Sequence, residues 1–119
     1  MQDPNKEASK GDILAEDNVK DGHYTVYLAP YSKNEDIFIG AMLTHSLVNA
    51  NIPLQEDHFI NRDENGTEYK VSFDESFVAN HPVFKKIEGA TFEKVGQLTE
   101  KGILFIEDSI APYVYQFIP

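Results

Sequence analysis

From His23 the chain alternates. His23-Tyr24-Thr25-Val26-Tyr27-Leu28-Ala29 sets Tyr24, Val26 and Leu28 on one face, which predicts a strand. Pro30 ends it, because proline has no N–H for a ladder. Ser32-Lys33-Asn34-Glu35 then fits a helix-capping box, and the stretch from Ile37 to Ala50 reads as a long helix stopped by Asn51-Ile52-Pro53. Apolar residues fall on every side of that helix: Ile37 and Ala41, Ile39 and Leu43, Phe38 and Met42. A helix apolar all round is buried on more than one side. The uncharged run approaches the ~20 residues of a membrane span. Thr44, His45, Ser46, Asn49 and Asn51 make it too polar for a lone span, so a central core helix is expected.

A hairpin is expected next. His58-Phe59-Ile60 leads into Asn61–Gly66, and Thr67 to Phe73 returns with Thr67, Tyr69, Val71 and Phe73 facing one way. Asn65-Gly66 is a strong short hairpin signal. Asp74-Glu75-Ser76 is suited to cap a short helix, which Pro82 interrupts before a further turn at Val83–Ile87. Phe92 to Leu98, Ile103 to Asp108 and Tyr113 to Ile118 read as three strands. Thr99-Glu100-Lys101-Gly102 joins the first two as a tight turn with Gly102 at the position needing φ > 0. The unbroken apolar triplet Leu104-Phe105-Ile106 predicts a strand covered on both faces, and Ile110-Ala111-Pro112 a turn after it.

Before Gly22 the pattern is different. Residues 1–21 contain six acids, three lysines and few large apolar residues, Ile13 and Leu14 among them. Such a segment buries too little surface to offset its ordering entropy, so a flexible polar N-terminal tether is expected over residues 1–21. Residues 22–119 form the expected single globular domain. Residues 1–21 have no charged-then-apolar signal design. The tether resembles the start of a mature bacterial lipoprotein with its lipid-bearing Cys removed. That resemblance implies an extracytoplasmic setting, tethered to the cell envelope or secreted; the cytoplasm is the alternative.

The order of elements implies an α+β fold: one long buried helix packed on a curved, mostly antiparallel sheet of five to six strands. At fold level this resembles a cystatin-like wrap, with a ferredoxin-like split fold as the alternative. The inhibitory Gln-x-Val-x-Gly hairpin of cystatins is absent, and Glu93-Lys94-Val95-Gly96 does not replace it. No inhibitory function follows from the resemblance.

Charge narrows the class of partner. Twenty acids against ten Lys and Arg give a net charge of −10. That field repels phosphate backbones and anionic membranes, excludes ordinary nucleic-acid binding, and favours basic protein partners. No cysteine is present, which removes disulfides, thiolate metal sites and cysteine nucleophiles together.

Candidate chemistry is sparse. His23, His45, His58 and His81 lack the spacing of a zinc pair, so no metal site is expected. His45 is expected inside the apolar helix. Asp57 and His58 are adjacent and point to opposite faces of an extended chain, so they make no dyad. Asn61, Asp63, Asn65 and Gly66 imitate half an EF-hand loop, but Ser72 stands where the bidentate Glu belongs. Glu107-Asp108 and Asp74-Glu75 are the carboxylate pairs a small hydrolase would use. No serine lies in a G-x-S-x-G context and no glycine-rich phosphate loop occurs, so neither catalytic residues nor cofactors are expected.

The candidate binding surface is aromatic. Tyr24, Tyr27, Tyr31, Tyr113 and Tyr115 flank or lie on the expected first and last strands, and would form one patch if those strands face each other. The function expected is therefore a small non-enzymatic binding or accessory domain, bacterial and outside the membrane. The alternatives are an acidic intracellular inhibitor or immunity-type protein that blocks a basic partner and, last, a small hydrolase.

Overall fold

A computed structural model of the chain describes residues 1–17, 23–45, 51–71 and 76–117, with side chains to residue 110. Among these residues it shows an α+β fold: an open antiparallel sheet of seven strands and one long helix. The strands are β1 (Asp12–Glu16), β2 (Thr25–Pro30), β3 (Ile37–Thr44), β4 (Ile52–Pro53), β5 (Phe59–Ile60), β6 (Phe77–Lys86) and β7 (Phe92–Leu98). Their order across the sheet is β4-β6-β3-β2-β1-β7-β5. A short helix α1 (Pro4–Glu7) precedes them, a 3-10 turn (Glu56–His58) leads into β5, and the long helix α2 (Glu100–Phe117) follows β7. Among the described residues the sheet thus has seven strands rather than five or six, and the long helix follows the last of them instead of the first.

The segment expected to be the long helix is β3. A run without polar interruption is compatible with a buried helix or with a strand covered on both faces. Here β3 lies between β2 and β6, with Gly40 opposite Tyr27 on one side and Val83 on the other. The register decides which side of the sheet each residue serves: Ala41 joins the core shared with α2, and Phe38 joins the core on the opposite face. Asn34, expected to cap a helix, instead shapes the β2–β3 turn. Its carbonyl accepts from Ile37 N at 3.1 Å and its side chain from Asp36 N at 2.9 Å. Ser46 to Ala50, the end of the expected helix, lie outside the described residues.

The tether expected over residues 1–21 is replaced, at Asp12–Glu16, by a strand well inside the sheet. β1 pairs with β2 on one side and β7 on the other. Ile13, 0% exposed, enters the core beneath α2, and Leu14, 1% exposed, enters the core on the opposite face. Residues before β1 also dock: Pro4 is buried, and Met1 O accepts from Phe92 N at 2.8 Å. Two large apolar residues suffice because the neighbouring strands supply the rest of the hydrophobic surface. Residues 18–22, where the tether was expected to end, lie outside the described residues.

Two strands expected near the C-terminus are the helix α2. Thr99 starts it: its Oγ1 accepts from Gly102 N at 3.1 Å and its carbonyl from Ile103 N at 2.9 Å. Ile103, Ile106 and Ile110 then recur at helical spacing and turn toward the core, while Leu104 is exposed. Gly102 lies in the helix without positive φ, and Pro112, expected in a turn, sits inside it. The helix packs on β6, β7 and the 3-10 turn.

Pro82 does not break a helix either. It lies within β6 opposite Ala41, beside a register shift between Ala41 and Leu43, where a missing ladder donor is tolerated. The hairpin expected after β5 forms only in part: over its described residues 67–71 the return segment is not a strand. Gly66 takes a positive φ of 80° at its tip, Arg62 and Glu68 form an isolated bridge, and Val71 N donates to Val95 O on β7 at 2.9 Å. Residues 72–75, and with them the expected cap at Asp74-Glu75, lie outside the described residues.

The sheet curls toward its second core. Phe38 on β3 and Phe92 on β7 are three places apart, which in a flat sheet means ~14 Å. Their ring centroids are 5.6 Å apart, with Tyr27 5.2 Å from Phe38. Side chains stand nearly perpendicular to a sheet, so this approach requires curvature.

Candidate functional site

The five tyrosines do not share a strand-to-strand surface, because the strand expected to carry Tyr113 and Tyr115 is part of α2. Their side chains lie outside the described residues. Tyr24 precedes β2 and is exposed. Tyr27 is 4% exposed in the second core, and its hydroxyl donates to Asn5 Oδ1 at 2.8 Å. Burial, with the nearby Asp3 carboxylate, raises the Tyr27 phenol above its ordinary value. Tyr31 is half-buried with its ring 5.2 Å from Phe84. Tyr27 is therefore a core residue, and Tyr24, 36% exposed, is the most exposed of the three whose side chains are described.

The histidines are spread over separate elements. His23, His45 and His81 are exposed, and His45 stands just past β3 rather than inside an apolar helix. Asp57 and His58 lie in the 3-10 turn rather than on an extended chain, with Asp57 exposed and His58 buried. Asp57 pairs with Lys101 of α2, and the hydrogen bond from that ammonium holds the carboxyl below its ordinary value. His58 is 3% exposed, stacked on Phe105 at 4.6 Å, and burial lowers its pKa. Asp63 spends its carboxylate on the loop, accepting from Asn65 N and Thr67 N at 2.9 Å. Among the described residues, no group of three or more His, Asp or Glu is placed to hold a metal ion. Among them, too, no helix is long and apolar enough to cross a membrane.

Ion pairing is extensive but leaves acid over. Six lysines pair with six carboxylates among the described residues, including Lys94 with Asp12 at 3.2 Å and Lys10 with Glu107 at 3.0 Å. Burial pulls the Lys94 ammonium down, but the hydrogen bond and charge of Asp12, with Tyr69, outweigh it and raise its pKa.

On α2 the surplus acid meets an apolar side chain. Leu104 is 55% exposed. Glu100 and Asp108, both exposed, stand one turn before and one turn after it, so the three share a helix face. This face was hidden by the expectation of a two-sided buried strand. The four-residue spacing of Glu100, Leu104 and Asp108, beside the core spacing of Ile103, Ile106 and Ile110, is the signal that shows it. Comparisons with family models, curated proteins and solved structures return no match for this chain.

Proposed function

We propose that the protein is a small, non-enzymatic binding domain that meets a basic protein partner through the outer face of α2. The observation that carries this reading is Leu104, an exposed apolar side chain between the carboxylates of Glu100 and Asp108. A net charge of −10 steers a basic partner toward the domain, and a desolvated leucine between acids supplies a contact that charge alone does not. Tyr24 is a second exposed contact residue, and Tyr27, enclosed in the second core, is not part of the surface. The cystatin-like resemblance lends no support, because the long helix ends the sheet rather than following its first strand.

The setting is a separate matter. An extracytoplasmic, lipoprotein-like placement rested on a free tether over residues 1–21, and β1 takes up the middle of that segment. An intracellular inhibitor of a basic target would use the same α2 face and differs in its effect on the partner's activity. For the hydrolase, Glu107 is engaged by Lys10 on the α2 side of the molecule, and His45 stands on another element.

Affinity capture from source cells tests the reading with the intact chain, Leu104→Ser, and the double variant Glu100→Gln/Asp108→Asn. A basic protein retained by the intact chain, released by salt and lost with either variant is expected. Equal capture by all three, or a partner held equally at low and high salt, overturns it.

A further inference from the structure

The 3-10 turn before β5 holds the first turn of α2 through both its backbone and its side chains. His58 O accepts from Thr99 N at 2.9 Å, and Asp57 O accepts from Thr99 Oγ1 at 2.8 Å. Gly102 presses against His58 so closely that a Cβ there would lie 2.5 Å from His58 O. The His58 ring stacks on Phe105 at an interplanar angle of 26°. Its Nδ1 lies 2.9 Å from the backbone N of Gln55. A backbone N–H only donates, so Nδ1 must present its lone pair and the ring proton must sit on Nε2. Protonation would set two donors against each other and place a charge on a ring that is 3% exposed.

We propose that His58 is an acid-sensitive latch: neutral, it docks the first turn of α2 on the sheet, and on protonation it releases that turn and loosens Ile106 and Ile110 from the core. Two charged groups act on the ring. Asp57 of its own turn favours the imidazolium, and Lys101 of α2 opposes it and already engages Asp57. Glu56 and Glu100, at the ends of the turn and the helix, are exposed to solvent. β5 brings no charged residue. Burial outweighs Asp57 and depresses the folded-state value below the ordinary 6.5. The unfolded chain therefore takes the proton first as pH falls. The stabilisation is fully present above about pH 6.5 and is lost as pH falls from there through the folded-state value.

Two measurements test the latch. Long-range nitrogen–proton NMR reads which His58 nitrogen carries the proton; at neutral pH it is expected on Nε2. Amide exchange, corrected for intrinsic rates, then follows Thr99, Gly102 and Ile103 between about pH 7.5 and pH 5. Protection in the wild type should fall, by at most about tenfold per pH unit. His58→Asn retains a side-chain acceptor that does not titrate, and its protection should be flat over the same range. A proton on Nδ1 at neutral pH overturns the proposal. So does wild-type protection that stays constant while the His58 ring titrates. If His58→Asn fails to fold, these two wild-type readings still decide.

Discussion

Gly40→Ala separates a strand from a helix by the sign of its effect. Within a helix from Ile37 to Ala50, the change would stabilise the protein by up to about 1 kcal/mol through helix propensity. In β3 the added methyl has nowhere to go. It would lie 2.6 Å from Thr25 Cγ2, 2.6 Å from Val26 O and 3.3 Å from the Phe38 ring. Carbon contacts are favourable near 3.5–4.0 Å, so the neighbours must give by roughly 1 Å. Thr25 is 4% exposed with a branched, stiff side chain, and Val26 O belongs to the backbone of the paired strand. Overpacking of this kind costs ~1–3 kcal/mol. With a urea slope of ~1–3 kcal/mol/M, the unfolding midpoint should fall by roughly 1 M. A midpoint raised by the substitution would refute β3 and restore the helix.

Four further substitutions probe the rest of the fold. Ile106→Ala should cost ~2–5 kcal/mol, and Leu104→Ala less than ~0.5, because Ile106 is 0% and Leu104 55% exposed; equal losses in urea unfolding would return both to a two-sided strand. Asn5→Ala removes the acceptor of the Tyr27 hydroxyl and the donor to Glu35 O and Ile37 O, and should cost about 1–3 kcal/mol. An unchanged thermal midpoint would mean that the first residues do not dock. Leu43→Ala, 4% exposed, should cost ~2–5 kcal/mol, and a loss under about 1 kcal/mol would place it outside the core.

Local pattern was sufficient where it was both periodic and bounded. The alternation around Tyr24–Leu28 and the run Phe92–Leu98 read as strands because one face differs from the other within the element itself. Asn65-Gly66 marked a turn because few residue pairs adopt its backbone so easily, and the −10 charge is a property of composition that no fold can alter. The overall acidity that would steer a basic partner was therefore legible, whereas the α2 face was not.

Elsewhere the deciding surface belongs to another part of the chain. Ile37–Thr44 is apolar on every side, and only β2 and β6 beside it make it a strand. Ile13 and Leu14 look too few to order an acidic segment until β2 and β7 close on them and each residue finds a core on its own side. Leu104-Phe105-Ile106 supports either period, and the choice falls to Thr99 capping the helix and to the turn at His58 that receives Gly102 and Phe105. Tyr27 is a core residue rather than a contact residue for the same reason: Phe38 and Asn5, distant in sequence, enclose its ring and its hydroxyl. Amphipathic periodicity is written into a segment, whereas burial on both faces is a property of its neighbours, and long-range packing alone supplies them.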